Sequence, residues 1–252
     1  MAHQILLFLG AGSNGGVASI KKFKSKGYKV AAVSRNPVEE VKESADLVLS
    51  GDFNDPSGIT AIFEKVEREL GTPNVVIYNA YSFAPTALEQ SDPNPLSFSI
   101  EGLIRDLNVN TVSPYAAAQE AVKRFAQLPS DVSKIFIYTG NKANTVVAPG
   151  ILSFGMTKGA TWYMIQSLVA AFKDSGYRFY YVDERTPDGK GMLHISGEAH
   201  AEFFLELAQR ADQGPPLATF VRGKGYTAFA GETVTNLPVV SMAELADLDY
   251  GS

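Results

Sequence analysis

The chain has 252 residues, 45% of them hydrophobic and 19% charged, with a net charge of −5 and a pI near 5.3. That acidic balance excludes a broad nucleic-acid footprint, which needs clustered Lys and Arg to neutralise phosphates. The absence of cysteine excludes disulfides and thiolate metal sites, no metal site is expected, and a reducing compartment suits the composition.

Met1-Ala2-His3-Gln4 runs straight into an apolar strand without a basic leader or small-residue cleavage site, and no apolar run reaches membrane-spanning length. The expected location is therefore cytoplasmic. Ile5 to Leu9 reads as the first strand, ending in glycines, and Gly15 to Lys26 as a helix with a basic face. A strand over Tyr28 to Val33 and a short helix over Val38 to Glu43 follow. Asp46 to Leu49 is the third strand, Pro56 to Leu70 a helix and Asn74 to Tyr78 the fourth strand. One long helix is expected over Leu103 to Gln127, then a strand at Lys134 to Thr139 and a helix from Leu152 to Asp174. Tyr177 to Val182 is strand six, Glu198 to Arg210 a helix and Leu217 to Val221 the last strand. Beyond Phe229 there is little periodicity. Strand-length apolar runs alternating with helical patterns predict right-handed βαβ units. The expected architecture is α/β: one Rossmann-type domain over residues 1–252, with a doubly wound parallel sheet of about seven strands and helices on both faces.

Directly after the first strand stands Gly10-Ala11-Gly12-Ser13-Asn14-Gly15-Gly16. A turn between strand and helix needs glycine where backbone approaches a pyrophosphate, and the free N–H groups and positive end of the following helix favour the anion. The spacing of Gly10 and Gly16 resembles the glycine motif of the short-chain dehydrogenase/reductase family, with Asn14 at its middle glycine and Gly15 beside it. Asn tolerates left-handed backbone better than other non-glycine residues, so the turn is expected to persist.

The resemblance runs along nearly the whole chain and implies a cofactor site. Ser34-Arg35 ends the second strand, where an acidic residue selects NAD(H) and Arg accommodates a 2′-phosphate; NADP(H) is favoured. Asp52-Phe53 resembles the adenine-binding segment after the third strand. Asn79-Ala80 resembles the family's Asn-Ala-Gly, with Tyr81 in place of the glycine, a bulky phenol near the meeting point of cofactor and substrate.

The family's chemistry uses an Asn supporting a water relay, a Ser, a Tyr that handles the proton, and a Lys four residues later on the same helix face. Asn110 matches the first and Lys158 the last. The tyrosine position is Phe154, and the serine position falls at Gly140 or Asn141. Replacement acids are sought in Tyr81, Asn141, Tyr181, Asp183, Glu184 and His194. Tyr181 also reads as sheet packing, Asp183 and Glu184 as loop charges paired with Arg185, Trp162 as packing, and His3 and His200 carry no signal. The reading is an NADP(H)-dependent reductase acting on a small carbonyl, imine or activated alkene, with a catalytically silent NADP(H)-binding protein or a non-redox enzyme as alternatives. The resemblance also implies a homodimer or homotetramer built on the helices around Ala116-Ala117-Ala118 and Thr161 to Leu168.

Overall fold

A computed structural model describes residues 4–84 and 94–230; the irregular tail expected after Phe229, with Tyr250, lies almost wholly outside them, as does His3. The strands are β1 (Ile5–Leu9), β2 (Lys29–Ser34), β3 (Leu47–Ser50), β4 (Val75–Tyr78), β5 (Lys134–Thr139), β6 (Tyr177–Arg185), β7 (Leu217–Val221) and β8 (Gly225–Tyr226). The helices are α1 (Gly15–Lys24), α2 (Glu39–Ser44), α3 (Ile59–Glu69), α4 (Ile100–Leu107), α5 (Ser113–Phe125), α6 (Leu152–Ala171) and α7 (Gly197–Gln209). The strands form one sheet in the order β3-β2-β1-β4-β5-β6-β7-β8. All neighbours are parallel except β7 and β8. This is the doubly wound sheet expected from the alternation, with a two-residue antiparallel eighth strand added.

β1, β4 and most of β5 are continuously buried, because a parallel sheet is covered on both faces. On one face Phe8, Val30, Tyr180 and Phe220 pack under Ile20 and Phe23 of α1 and Phe203 and Phe204 of α7. On the other, Leu7, Phe136, Tyr138 and Tyr181 pack under α3, α5 and α6 through Phe63, Phe125 and Trp162. Each such apolar side chain contributes about 1.5–3 kcal/mol when fully buried. No helix among the described residues is long and apolar enough to cross a membrane.

Two sequence expectations are corrected. The single helix over Leu103 to Gln127 is broken between α4 and α5 by a wider turn of helix at Asn108–Val112. Pro114, in the first turn of α5, has no N–H to return to the carbonyl of Asn110. That carbonyl instead accepts from the Tyr138 hydroxyl (3.1 Å) and the Thr161 hydroxyl (2.6 Å). The second correction concerns β6, which continues through Asp183, Glu184 and Arg185. These are strand residues, each at most 3% exposed, and not loop charges. They are tolerated because each is paired: Arg185 Nε donates to Asp183 Oδ2 at 2.5 Å, and Glu184 holds the N–H of Ser196 and the Arg222 guanidinium.

Candidate active site

The carboxyl ends of β1, β2, β4 and β5 converge where an open α/β sheet binds ligands. Gly10 leaves β1 at φ +96°, and a Cβ there would overlap the backbone nitrogen of Ala80. Asn79 secures the same junction by donating from Nδ2 to the Gly10 carbonyl at 3.0 Å. Gly16 packs against the Ala11 backbone, where a Cβ would come within 2.7 Å, whereas nothing lies within 4 Å of one placed on Gly12. Ser13 is exposed and Gly15 buried, beside Asn79.

Asn14 departs from expectation. Its φ is −90°, not left-handed. Its side chain accepts from the Gly197 N–H (2.9 Å) and donates to the Ile195 carbonyl (3.1 Å), stitching the turn to the start of α7. The N-terminus of α1 thereby has no side-chain cap and no acidic residue in its first turn. At the end of β2, Ser34 Oγ is buried without a hydrogen-bond partner, and Arg35 is exposed. Asp52 is exposed and turns back to the Asn54 N–H at 3.0 Å. Phe53 is buried edge-on to Tyr78. An open space over Gly12 and an uncapped helix end fit the pyrophosphate of a dinucleotide.

Next to this turn, a cavity of about 490 Å³ is lined by Asn79, Thr139, Asn141, Phe154, Lys158 and His200 among others. A larger, more open groove of about 820 Å³ between α1 and α7 carries Lys21, Lys22, Glu202 and Arg222 but none of the Lys158 surroundings. Lys158 is 2% exposed. Its ammonium donates to Tyr138 Oη at 2.8 Å and to the Thr139 carbonyl at 3.3 Å. It also lies over the rings of Tyr138 (4.5 Å) and Phe154 (5.2 Å). Burial lowers its pKa to about 7, against a smaller upward pull from Asp183. Asn110 is buried: its side chain bonds Ser82 and Thr157, while its carbonyl meets Tyr138.

Phe154 meets Phe83 edge to face at 4.9 Å, so an apolar wall stands where the resemblance puts a phenol. Asn141 is the better match to the serine position, because at Gly140 a Cβ would lie inside the Tyr181 ring. Asn141 Oδ1 caps the following turn through the Ala143 N–H at 3.0 Å.

Few replacement acids survive inspection. Tyr81 lines the cavity but is 67% exposed. Tyr181 is fully buried, bonds the Asn141 backbone in both directions, and burial pushes its pKa upward. It is a packing residue, as is Trp162, whose ring meets it edge-on. Asp183 is tied to Arg185. His194 is exposed. The residue missed from sequence is His200, which lines the cavity with Nδ1 held by the Ser196 carbonyl (2.9 Å) and Glu184 3.4 Å away. Burial lowers its pKa, opposed by the Ser196 bond and Glu184. Its place on a helix four residues after a serine N-cap gave no signal, since the loop folding α7 back to Asn14 is long-range.

A family model described as enoyl-(acyl carrier protein) reductase matches residues 10–204. The short chain dehydrogenase/reductase dmxR12 of Cryptosporiopsis sp. (strain 8999) is 39% identical over 241 residues, covering 92% of this chain and 98% of that protein. A 3-ketoacyl-(acyl-carrier-protein) reductase from Brucella melitensis, solved with NADH, superposes with a TM-score of 0.72 at 19% identity, over 88% of this chain and 98% of that one. BdcA, solved with NADPH, gives 0.68 at 17% identity over 92% and 98%. The matched model spans the glycine turn through most of α7, and the Cryptosporiopsis relative is similar over nearly its full length: the chain belongs to the short-chain dehydrogenase/reductase family.

Proposed function

We propose that the chain is an NADP(H)-dependent reductase with an atypical active site, transferring hydride to a small carbonyl, imine or activated alkene. The observation that carries this reading is a buried Lys158 at an apolar cavity directly beside the uncapped N-terminus of α1. Gly10, Gly12, Ser13, Gly15 and Gly16 would hold the pyrophosphate, Asn79 and Lys158 the nicotinamide side, and Asp52 and Phe53 the adenine. A bound reduced nicotinamide supplies hydride; the chain's part is to orient the acceptor, exclude water and manage the proton. Phe154 and Phe83 supply the dry wall. NADH and NADPH in the Brucella reductase and BdcA support a nicotinamide cofactor for this chain.

The preference for NADPH rests on Arg35 beside the unpartnered Ser34 hydroxyl. A hydrogen bond to a charged group contributes about 1.5–3 kcal/mol, so Arg35→Ala is expected to weaken NADPH binding roughly 10- to 100-fold and leave NADH binding nearly unchanged, read by cofactor fluorescence titration. A second reading, a silent NADP(H)-binding protein, is favoured by the absence of a phenol at Phe154. A screen of carbonyls, cyclic imines and activated alkenes for NADPH oxidation separates the two: turnover of any of them excludes the silent reading, and none with a bound cofactor supports it. Self-association is proposed through α5 and α6, where Tyr115, Met156 and Tyr163 are each more than half exposed; light scattering would report a dimer or tetramer.

A further inference from the structure

We propose that Lys158 is itself the proton donor of this site, delivering its proton to the oxygen of a carbonyl substrate, with Tyr138 as the residue that positions it. The proposal rests on the reductase reading and narrows its substrate class to carbonyls. An ammonium has three N–H bonds. Two are committed, to Tyr138 Oη and to the Thr139 carbonyl, and the third is left for the cavity that Lys158 lines.

The Tyr138 hydroxyl is unsuited to donate to substrate. It is fully buried, its proton is committed to the Asn110 carbonyl at 3.1 Å, and burial drives its pKa far upward. It acts as an acceptor that fixes the ammonium's direction. The Asn110 carbonyl is available to it because Pro114 cannot bond there, so Asn110, Pro114 and Tyr138 together direct the Lys158 ammonium. A donor works best with a pKa near the working pH, and burial brings Lys158 into that range.

The charged and titratable groups around Lys158 come from every neighbouring element. β5 supplies Tyr138, and β6 supplies Asp183 paired with Arg185. On α4, Asp106 has its carboxylate held by Ser82 and Ser153 and is not part of the cavity lining. The turn after β5 contributes Lys142, bonded to the Gly189 carbonyl, and α7 contributes His200.

In the step, the carbonyl carbon gains hydride while the cofactor is oxidised. The O–H bond forms as an N–H bond of Lys158 breaks, and its electron pair stays on nitrogen. The neutral amine regains a proton from solvent entering the cavity after product leaves.

The test combines titration and turnover. In the cofactor-free protein, carbon-13 NMR of labelled lysine side chains should show one ammonium titrating near neutrality, absent in Lys158→Gln and moved to lower pH in Tyr138→Phe, which removes an acceptor from the charged form. With NADPH binding checked by fluorescence, Lys158→Arg and Lys158→Gln should reduce single-turnover carbonyl reduction about 10²- to 10⁴-fold and remove the fall in rate above neutral pH. A Lys158 resonance titrating in the ordinary lysine range overturns the proposal alone. So does a Lys158→Gln protein that binds NADPH and keeps wild-type rate and pH profile, or a profile abolished by His200→Gln instead. Failure of the wild-type protein to bind NADPH overturns the reductase reading and takes the proposal with it.

Discussion

Gly10→Ala is expected to lose both stability and cofactor binding. Position 10 sits at φ +96°, and the added methyl would overlap the Ala80 backbone, which cannot yield as a side-chain end would. Left-handed backbone alone costs a non-glycine residue about 1–2 kcal/mol; overlap with strand backbone adds to it, for a total of roughly 3 kcal/mol or more. For a chain of this size that lowers the midpoint of thermal unfolding by about 6–12 °C, measurable by circular dichroism. Gly12→Ala is the control. Its methyl meets nothing within 4 Å, so stability should hold while NADPH affinity falls, because in the proposed binding mode the methyl enters the space of the pyrophosphate. A Gly10→Ala protein as stable as wild type would contradict this account of the turn.

The second large effect is a pH-dependent difference in stability between wild type and Lys158→Met. Lys158 has a folded-state pKa of about 7 because burial disfavours its charge, whereas the unfolded chain restores it to about 10.4. Between those values the unfolded state binds more protons than the folded state, so this residue's contribution to stability rises with pH. Below about 7 the lysine is charged in both states and the folded protein carries the full cost of a buried ammonium. Lys158→Met should therefore be the more stable protein at pH 6, with the advantage shrinking by up to about 4 kcal/mol towards pH 10. Urea unfolding of both proteins at the two pH values measures the difference, and other titrating groups cancel between them. A difference that is constant with pH would mean that Lys158 keeps its ordinary pKa.

The parallel sheet was readable from sequence because buried strands leave continuous apolar runs, such as Ile5 to Leu9, while amphipathic helices leave a different period. The glycine turn was readable because backbone crowding at Gly10 and Gly16 admits little else. Long-range contacts were less readable. Nothing near Asp183, Glu184 and Arg185 signals that their charges pair inside a strand, since Glu184 finds Arg222 and Ser196 across two loops. Asn14 looked like a left-handed turn residue because its partner, the backbone at Ile195 and Gly197, is remote in sequence. The choice between Gly140 and Asn141 needed the Tyr181 ring, which belongs to the neighbouring strand. Tyr138 likewise reads as one more strand tyrosine until Lys158, from α6, is placed against its hydroxyl.

Calorimetric titration of the wild-type protein with NADPH and with NADH probes the cleft most directly. Saturation by NADPH at one site per chain, with weaker binding of NADH, is the predicted result. A folded protein that neither nucleotide saturates would contradict it.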